Sequence, residues 1–173
     1  MSRSAFTKFI KSLSEEDLRQ EFMDIYSKFS DVKKHYAMEL GSEADRKKIF
    51  DKAKKEIKNL YYVRNRPRKR PRIAKIKTII KEVSNISVFS HEKVDLLLYA
   101  TETGLGYLHK KSNTTNATYN NCRDNFDKAT TLINQLSLQE EFQSRCQTIV
   151  VDASSIYMLD EVIQQLYNNA FYS

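Results

Sequence analysis

The residues best suited to chemistry are the cations of one short stretch. Residues 64–72 read RNRPRKRPR, so six positive charges and two prolines occupy nine positions. A guanidinium group presents paired N–H donors that match the oxygens of a phosphate. No acidic residue lies between Glu56 and Glu82, and lysines follow the second proline. The sequence therefore predicts a polyanion-binding segment, with the candidate contact residues Arg64, Arg66, Arg68, Lys69, Arg70, Arg72, Lys75 and Lys77.

The two prolines constrain the backbone of this stretch. Each lacks an N–H donor, and each pushes the residue before it out of the helical region. We therefore expect residues 63–70 to be non-helical and residues 64–71 to be extended, which spaces the guanidinium groups along a run of phosphates. Pro71 is expected to be the first residue of the next helix.

Three interpretations of the stretch remain open. The first is contact with nucleic acid without sequence preference, and the second is docking on an acidic protein surface or an anionic membrane. The third is a solvated connector whose charges pair with the rest of the chain, since ten positive charges lie between Glu56 and Glu82 and the net charge of +7 leaves the remainder at −3. The repeated Arg-x-Arg-Pro also resembles the AT-hook of minor-groove binders. Asn65 and Lys69 stand where the AT-hook has glycine, which argues against that readout.

Two groups of histidines and carboxylates have spacings that suit one helix face. One is Asp31, His35 and Glu39, and the other is His91, Asp95, Glu102 and His109. Each would bind a cation if a second helix supplied further ligands. The competing interpretation is a solvent-facing surface with pairs four residues apart. Because the sequence lacks a paired Glu-x-x-His motif, we predict no metal site.

No motif of an enzyme is visible. The chain has no G-x-S-x-G, no P-loop and no dinucleotide-binding fingerprint. Cys122 and Cys146 sit in apolar helical patterns, which is typical of buried thiols in a reducing compartment. We predict no catalytic activity and no cofactor, and Tyr62 is a candidate for stacking on a nucleobase beside the arginines.

The elements that position these residues are predicted to be helices. Three glycines and two prolines in 173 residues are too few for the turns that sheets require. We predict an all-α fold in which residues 1–173 form a single compact multi-helix domain of about seven or eight helices. The helices would stack as a bundle or in a solenoid-like way, with a basic connector at about residues 62–72. No apolar run is long enough to cross a membrane and no secretory signal is apparent, so we expect a cytoplasmic protein without membrane insertion.

Helical periodicity also predicts helix starts and a core. Ser14, Ser42 and Ser137 are the expected N-caps, and Ser137 with Glu140 forms a capping box. Residues 85–89 are expected to form an extended connection, and residues 110–118 a polar loop. The residues expected to be buried are Phe22, Ile25, Phe50, Ile57, Ile76, Ile80, Leu98, Leu105, Phe126, Ile133, Phe142, Ile149, Val162 and Leu166.

Two stretches resemble a known family. Residues 9–40 contain Leu-Ser-x-Glu-Asp-Leu and then Tyr-x-Lys-Phe-x-x-Val-Lys-x-x-Tyr, and residues 71–83 read PRIAKIKTIIKEV. Together they resemble an uncharacterised bacterial family of small helical proteins, a domain of unknown function, over most of the chain. The resemblance implies an all-helical fold and a bacterial cytoplasmic setting, and it supplies no activity or site residues. We therefore predict a non-catalytic helical interaction module. The alternative is a nucleic-acid-binding accessory protein that uses residues 64–81, so the partner is an unknown protein or a nucleic acid.

Overall fold

The computed structural model describes residues 2–111 and 115–172, which form nine helices and one short hairpin. The first four helices are α1 (Arg3–Ser12), α2 (Glu15–Lys28), α3 (Ser30–Glu39) and α4 (Glu43–Tyr61). Strands β1 (Tyr62–Val63) and β2 (Arg66–Pro67) follow. The remaining helices are α5 (Ile73–Ile86), α6 (Ser90–Lys110), α7 (Asn116–Gln135), α8 (Gln139–Ala153) and α9 (Asp160–Phe171). The predicted all-α class is confirmed, and the helix count is close to the expected seven or eight.

Serine caps set two of the helix starts as predicted. The Ser14 hydroxyl accepts from the Asp17 N–H at 3.1 Å and donates to its carboxylate at 2.6 Å. Ser42 does the same with Asp45, at 3.2 and 2.7 Å. The capping box at Ser137 is wrong, because Ser137 has a φ of 55° and α8 starts after Leu138 without a side-chain cap. The left-handed backbone at Ser137 instead ends α7, where the Leu138 N–H donates to the Ile133 carbonyl at 2.9 Å.

The core lies where α6 packs along α7 and α4, with α9 and α8 closing the far side. Fully buried side chains that meet there include Ile57, Tyr61, Leu98, Phe126 and Ile133. The Tyr61 phenol accepts a hydrogen bond from the Asn121 side-chain amide at 3.0 Å, and burial raises its pKa. No described helix is long and apolar enough to cross a membrane.

Four of the expected core residues lie elsewhere. Phe22 is 47% exposed and Ile25 is half-buried, and no residue of α2 is buried. The reason is that α2 packs mainly against the short α3. On α9 the buried residues are Ile163, Tyr167 and Ala170, so Val162 is 37% exposed and Leu166 half-buried. The spacing of apolar residues predicted α9 correctly but assigned the wrong side of it to the core, because both sides of α9 carry apolar residues.

The connections match the predictions in part. Residues 87–89 are the non-helical link between α5 and α6, whereas residues 85 and 86 belong to α5. The predicted polar loop at 110–118 includes residues 112–114, which lie outside the described residues, and its last part is the first turn of α7.

Candidate polyanion-binding surface

The basic stretch folds into a tight hairpin at the end of α4. Tyr62 pairs with Pro67 and Val63 with Arg66 in antiparallel register. The two residues between the strands, Arg64 and Asn65, have φ values of 45° and 62°. Positive φ at both central residues is the signature of the turn that joins twisted strands most easily. The expectation that residues 64–71 are extended throughout is therefore wrong at the turn, because closing a two-residue hairpin requires left-handed backbone there.

Backbone hydrogen bonds hold the remainder of the stretch against α4. The Arg68 N–H donates to the Tyr61 carbonyl at 2.9 Å, and the Arg72 N–H donates to the Leu60 carbonyl at 3.2 Å. The hydroxyl of Tyr107, on α6, donates to the Arg68 carbonyl at 2.9 Å. Pro71 lies before α5, which begins at Ile73, so the prediction that Pro71 is its first residue is wrong. The bond from Arg72 to Leu60 keeps this part of the chain outside the helix.

The Arg68 side chain has a structural role at the end of α4. Its Nε donates to the Asn59 carbonyl at 2.8 Å, at the last turn of α4, where backbone carbonyls lack helical partners. Arg68 is accordingly half-buried. This arginine caps α4 and is a poor candidate for contact with a polyanion.

Six of the eight candidate cations remain exposed and without an ion-pair partner among the described residues. They are Arg64, Arg66, Lys69, Arg70, Arg72 and Lys75. Lys77 differs, since its Nζ lies 3.2 Å from the Asp124 carboxylate. Partial burial disfavours the charged form of Asp124, but hydrogen bonds from Arg123 and Lys77 outweigh it and lower the pKa of this carboxyl.

Lys75 and Lys77 do not share a surface. Two residues apart on a helix means about 200° of rotation, so the two side chains leave α5 in nearly opposite directions. Lys75 lines a groove with Arg68 and Glu56, beside α4, whereas Lys77 lines a groove with Lys128, on α7. The hairpin and Lys75 therefore form one surface, and Lys77 belongs to another.

Two lysines outside the predicted set join the hairpin. Lys58 and Lys110 line a groove together with Tyr62 and Asn65. Lys110 comes from the end of α6, so its sequence position gave no indication of this proximity, whereas Lys58 already lies in the acid-free stretch. We call the exposed cations of this region the hairpin patch: Arg64, Arg66, Lys69, Arg70, Arg72, Lys75, Lys58 and Lys110.

Tyr62 is poorly placed to stack on a base. Its ring meets the Tyr107 ring edge-on, with centroids 6.1 Å apart, and the Lys110 ammonium lies 5.5 Å from its centroid. Burial, followed by the neighbouring Tyr107, raises the pKa of Tyr62. The patch therefore offers charge and little aromatic surface.

The first histidine and carboxylate group is a set of weak surface pairs. His35 lies 3.4 Å from Glu39, and Asp31 lies 3.1 Å from Lys34. In the described part of the chain, no group of three or more histidine, cysteine, aspartate or glutamate side chains converges as metal ligands would. The pairs are exposed and contribute tenths of a kcal/mol.

The second group is divided by an arginine from another helix. Arg145, on α8, donates to Asp95 at 2.6 Å and to both oxygens of Glu102 at 2.6 and 2.9 Å. Lys54, on α4, binds the other oxygen of Asp95. Partial burial opposes ionisation of Asp95, but the Lys54 and Arg145 hydrogen bonds prevail and lower its pKa. The ion pairs of these carboxylates link α4, α6 and α8. Both carboxylates are therefore already engaged with cationic side chains.

The two cysteines are free and buried. Burial raises the pKa of Cys122 and of Cys146 to about 12 in each case. A thiol is nucleophilic as its thiolate, and burial disfavours the thiolate at both positions. They serve as small core residues, as their spacing predicted.

The comparison with known families concerns nearly the whole chain. Residues 1–169 match the sequence profile of DUF6155, described as a family of unknown function. The chain belongs to this family. The resemblance noted from the two sequence stretches is thereby confirmed in its coarse form, a domain of unknown function over most of the chain. No curated protein and no solved structure matches the sequence.

Proposed function

We propose that this DUF6155 protein is a non-catalytic helical binding protein whose hairpin patch contacts the phosphates of RNA or DNA without sequence preference. The observation that carries the proposal is the set of exposed cations that have no carboxylate partner among the described residues. A solvated connector that neutralises an acidic body would show ion pairs across the hairpin. In this stretch the ion pair is at Lys77, away from the patch.

The backbone at Arg64 gives further support. A non-glycine residue in the left-handed region costs about 1–2 kcal/mol, and glycine or asparagine is favoured in this turn. Asn65 fits that preference, and Arg64, with its φ of 45°, does not. A guanidinium group at the tip of the hairpin is thus present at a cost in stability. Residues that strain the backbone concentrate at functional sites.

The geometry of the patch suits a chain of phosphates. The hairpin turn points Arg64 outward, Arg66 follows on β2, and Arg70 and Arg72 lie on the return to α5. Phosphate contacts of this kind fix a protein on a nucleic acid and carry no base information. The mechanism is electrostatic neutralisation with release of counterions, so binding falls steeply as salt rises.

The test is binding to labelled single-stranded and duplex nucleic acids of mixed sequence across a salt series. If four patch residues neutralise phosphates of a duplex, log K falls against log salt with a slope of about −3.6. Replacing Arg64, Arg66 and Arg70 by alanine should weaken binding to every sequence and flatten the slope by about 2.7. The melting temperature should not fall, because these side chains make no contact that the fold needs.

A matched control replaces three exposed lysines outside the hairpin patch by alanine, at Lys33, Lys52 and Lys128. It has the same net charge as the triple arginine variant. This control should retain the wild-type slope. Equal weakening by both variants would show that net charge alone attracts the polyanion. Lack of binding by the wild type at low salt would refute the proposal, and binding to anionic vesicles in place of nucleic acid would assign the patch to a membrane surface.

The variant Arg64→Gly separates function from fold. It should raise the free energy of unfolding by about 1 kcal/mol, because glycine accepts the left-handed backbone, while it weakens nucleic-acid binding. Arg68→Ala should lower that free energy by about 0.5–1.5 kcal/mol, since the Asn59 carbonyl loses its donor. A lower free energy of unfolding for Arg64→Gly than for the wild type would contradict the backbone strain that we infer at Arg64.

The thiols support a cytoplasmic setting for this function. Cys122 and Cys146 are free, buried and in separate helices. Free thiols of this kind are typical of a reducing compartment. We therefore infer a cytoplasmic location, and the bacterial setting stays what the family resemblance implies. The test of the location is fractionation of cells that produce the protein.

A further inference from the structure

The first forty residues carry an unusual amount of exposed apolar surface. Nine of the seventeen large hydrophobic side chains that are exposed in the described residues lie there, within less than a quarter of the chain. They are Phe6, Phe9, Ile10, Leu18, Phe22, Met23, Tyr26, Phe29 and Leu40. Single exposed hydrophobics are normal, but a concentration of this size marks an interaction surface.

Helix α1 stands apart from the other elements of the described residues. It has no buried residue, and in the described part of the chain no element packs extensively against it. Phe6, Phe9 and Ile10 nevertheless lie on one face at helical spacing. A ten-residue helix without a packing partner is marginal in water. The apolar face of α1 is therefore suited to binding a partner surface.

A groove that fits such a helix lies between α2 and α3. Its walls are Phe22, Met23 and Tyr26 from α2, Tyr36 and Ala37 from α3, and Leu40 just after α3. Across the groove, the Phe22 and Tyr36 rings meet edge-on, with centroids 5.6 Å apart. An amphipathic helix that binds a groove uses anchors three and four residues apart. Phe6, Phe9 and Ile10 have that spacing.

The α1 helix of the same chain does not occupy this groove. Leu13 and Ser14, which join α1 to α2, are both extended, with ψ values of 144° and 164°. The extended joint carries α1 away from α2, where it remains exposed. Two-fold symmetry would let a second copy bring its own α1 to the groove while the first copy returns the same contact.

The charges of the two helices are complementary. Helix α1 contains three basic residues, Arg3, Lys8 and Lys11, and no acidic one. Helix α2 contains five acidic residues and two basic ones. An α1 helix that lies over the α2 of another copy therefore meets opposite charge, whereas two α1 helices or two α2 helices would repel each other.

The exposed area is sufficient for a stable pair. Within the α1 face and the groove, Phe6, Phe9 and Phe22 are 43%, 45% and 47% exposed, which is roughly 270 Å² at about 200 Å² per aromatic side chain. The exposed side chains of Ile10, Met23, Tyr26 and Leu40 add to this area and bring the surface of each copy toward the about 800 Å² per partner of a standard interface. We infer that the protein forms a two-fold symmetric dimer in which α1 of each copy docks into the α2–α3 groove of the other.

The experiment measures the mass of the full-length protein in solution by light scattering and sedimentation, at concentrations up to about 100 µM. Interfaces of this size have dissociation constants from micromolar to picomolar, so the wild type should be a dimer. Phe9→Glu places an acid against the acidic α2, and Met23→Lys places a base against the basic α1. Each variant alone should be a monomer with an unchanged helical spectrum, because neither side chain is buried in its own chain.

Mixing the two variants distinguishes arm exchange from other modes of pairing. The intact groove of the Phe9→Glu copy can accept the intact α1 of the Met23→Lys copy, so an equimolar mixture should recover the dimer mass. Phe9→Leu, which keeps an apolar anchor, should remain a dimer. A monomeric wild type, dimeric single variants, or a mixture that stays monomeric would each overturn the inference.

Discussion

Helices α6 and α7 approach each other closely at Gly104, and the replacement of this glycine by alanine tests the packing directly. A Cβ at Gly104, on α6, would collide with the Cys122 sulfur on α7 and lie 3.0 Å from the Tyr61 hydroxyl. Cys122 and Tyr61 are fully buried, so neither can move aside freely. Forcing an extra methyl group into a filled core costs about 1–3 kcal/mol.

Gly106, on the same helix, is the matched control. A Cβ there would lie 3.6 Å from the Tyr62 hydroxyl, which is an ordinary contact. Alanine is favoured over glycine within a helix by about 0.8–1.0 kcal/mol, and this gain applies at both positions. Gly106→Ala should therefore stabilise by nearly that amount. Gly104→Ala should be less stable than Gly106→Ala by the full packing cost of about 1–3 kcal/mol.

Urea unfolding followed by circular dichroism measures this difference. Adding Cys122→Ala to Gly104→Ala removes the sulfur that the new methyl group meets, so the two substitutions should couple favourably by about 0.5–3 kcal/mol. If Gly104→Ala proves as stable as Gly106→Ala, α6 and α7 do not approach as closely as described, and the reasoning fails.

Two further predictions concern the core face of α9 and the Arg145 cluster. In urea unfolding, Ile163→Ala should lower the free energy of unfolding by about 2–5 kcal/mol, because this side chain is buried. Its exposed neighbour Val162 should lose under about 1 kcal/mol on replacement by alanine. The reverse order would show that the core-facing side of α9 is the one expected from the sequence. Arg145→Gln should cost about 1.5–3 kcal/mol at neutral pH, because Asp95 and Glu102 lose charged hydrogen-bond donors. The pKa of Asp95 in the folded protein lies below its ordinary value of 3.8, so its stabilisation is complete above that value and is lost as pH falls toward the folded pKa. The deficit of Arg145→Gln should accordingly shrink below pH 3.8, and a deficit that is constant from neutral to acidic pH would count against the cluster.

Local rules were enough to predict the class of fold and two of the helix starts. Apolar spacing of three and four residues predicted the helices, and Ser14 and Ser42 cap as their positions indicated. These signals act within one or two turns of a single segment. The basic stretch was also recognised as non-helical, because proline acts on its immediate neighbours.

The sequence by itself determined that this chain is helical, that its cations are concentrated between Glu56 and Glu82, and that its thiols sit in apolar patterns. The tertiary structure decided which of those cations are free. It turned the stretch into a hairpin, engaged Arg68 with the end of α4 and brought Lys110 alongside. It also set Arg145 between Asp95 and Glu102, more than forty positions away in the chain. These outcomes depend on which helices pack together, and a periodicity within one helix contains no information about the partner that lies against it.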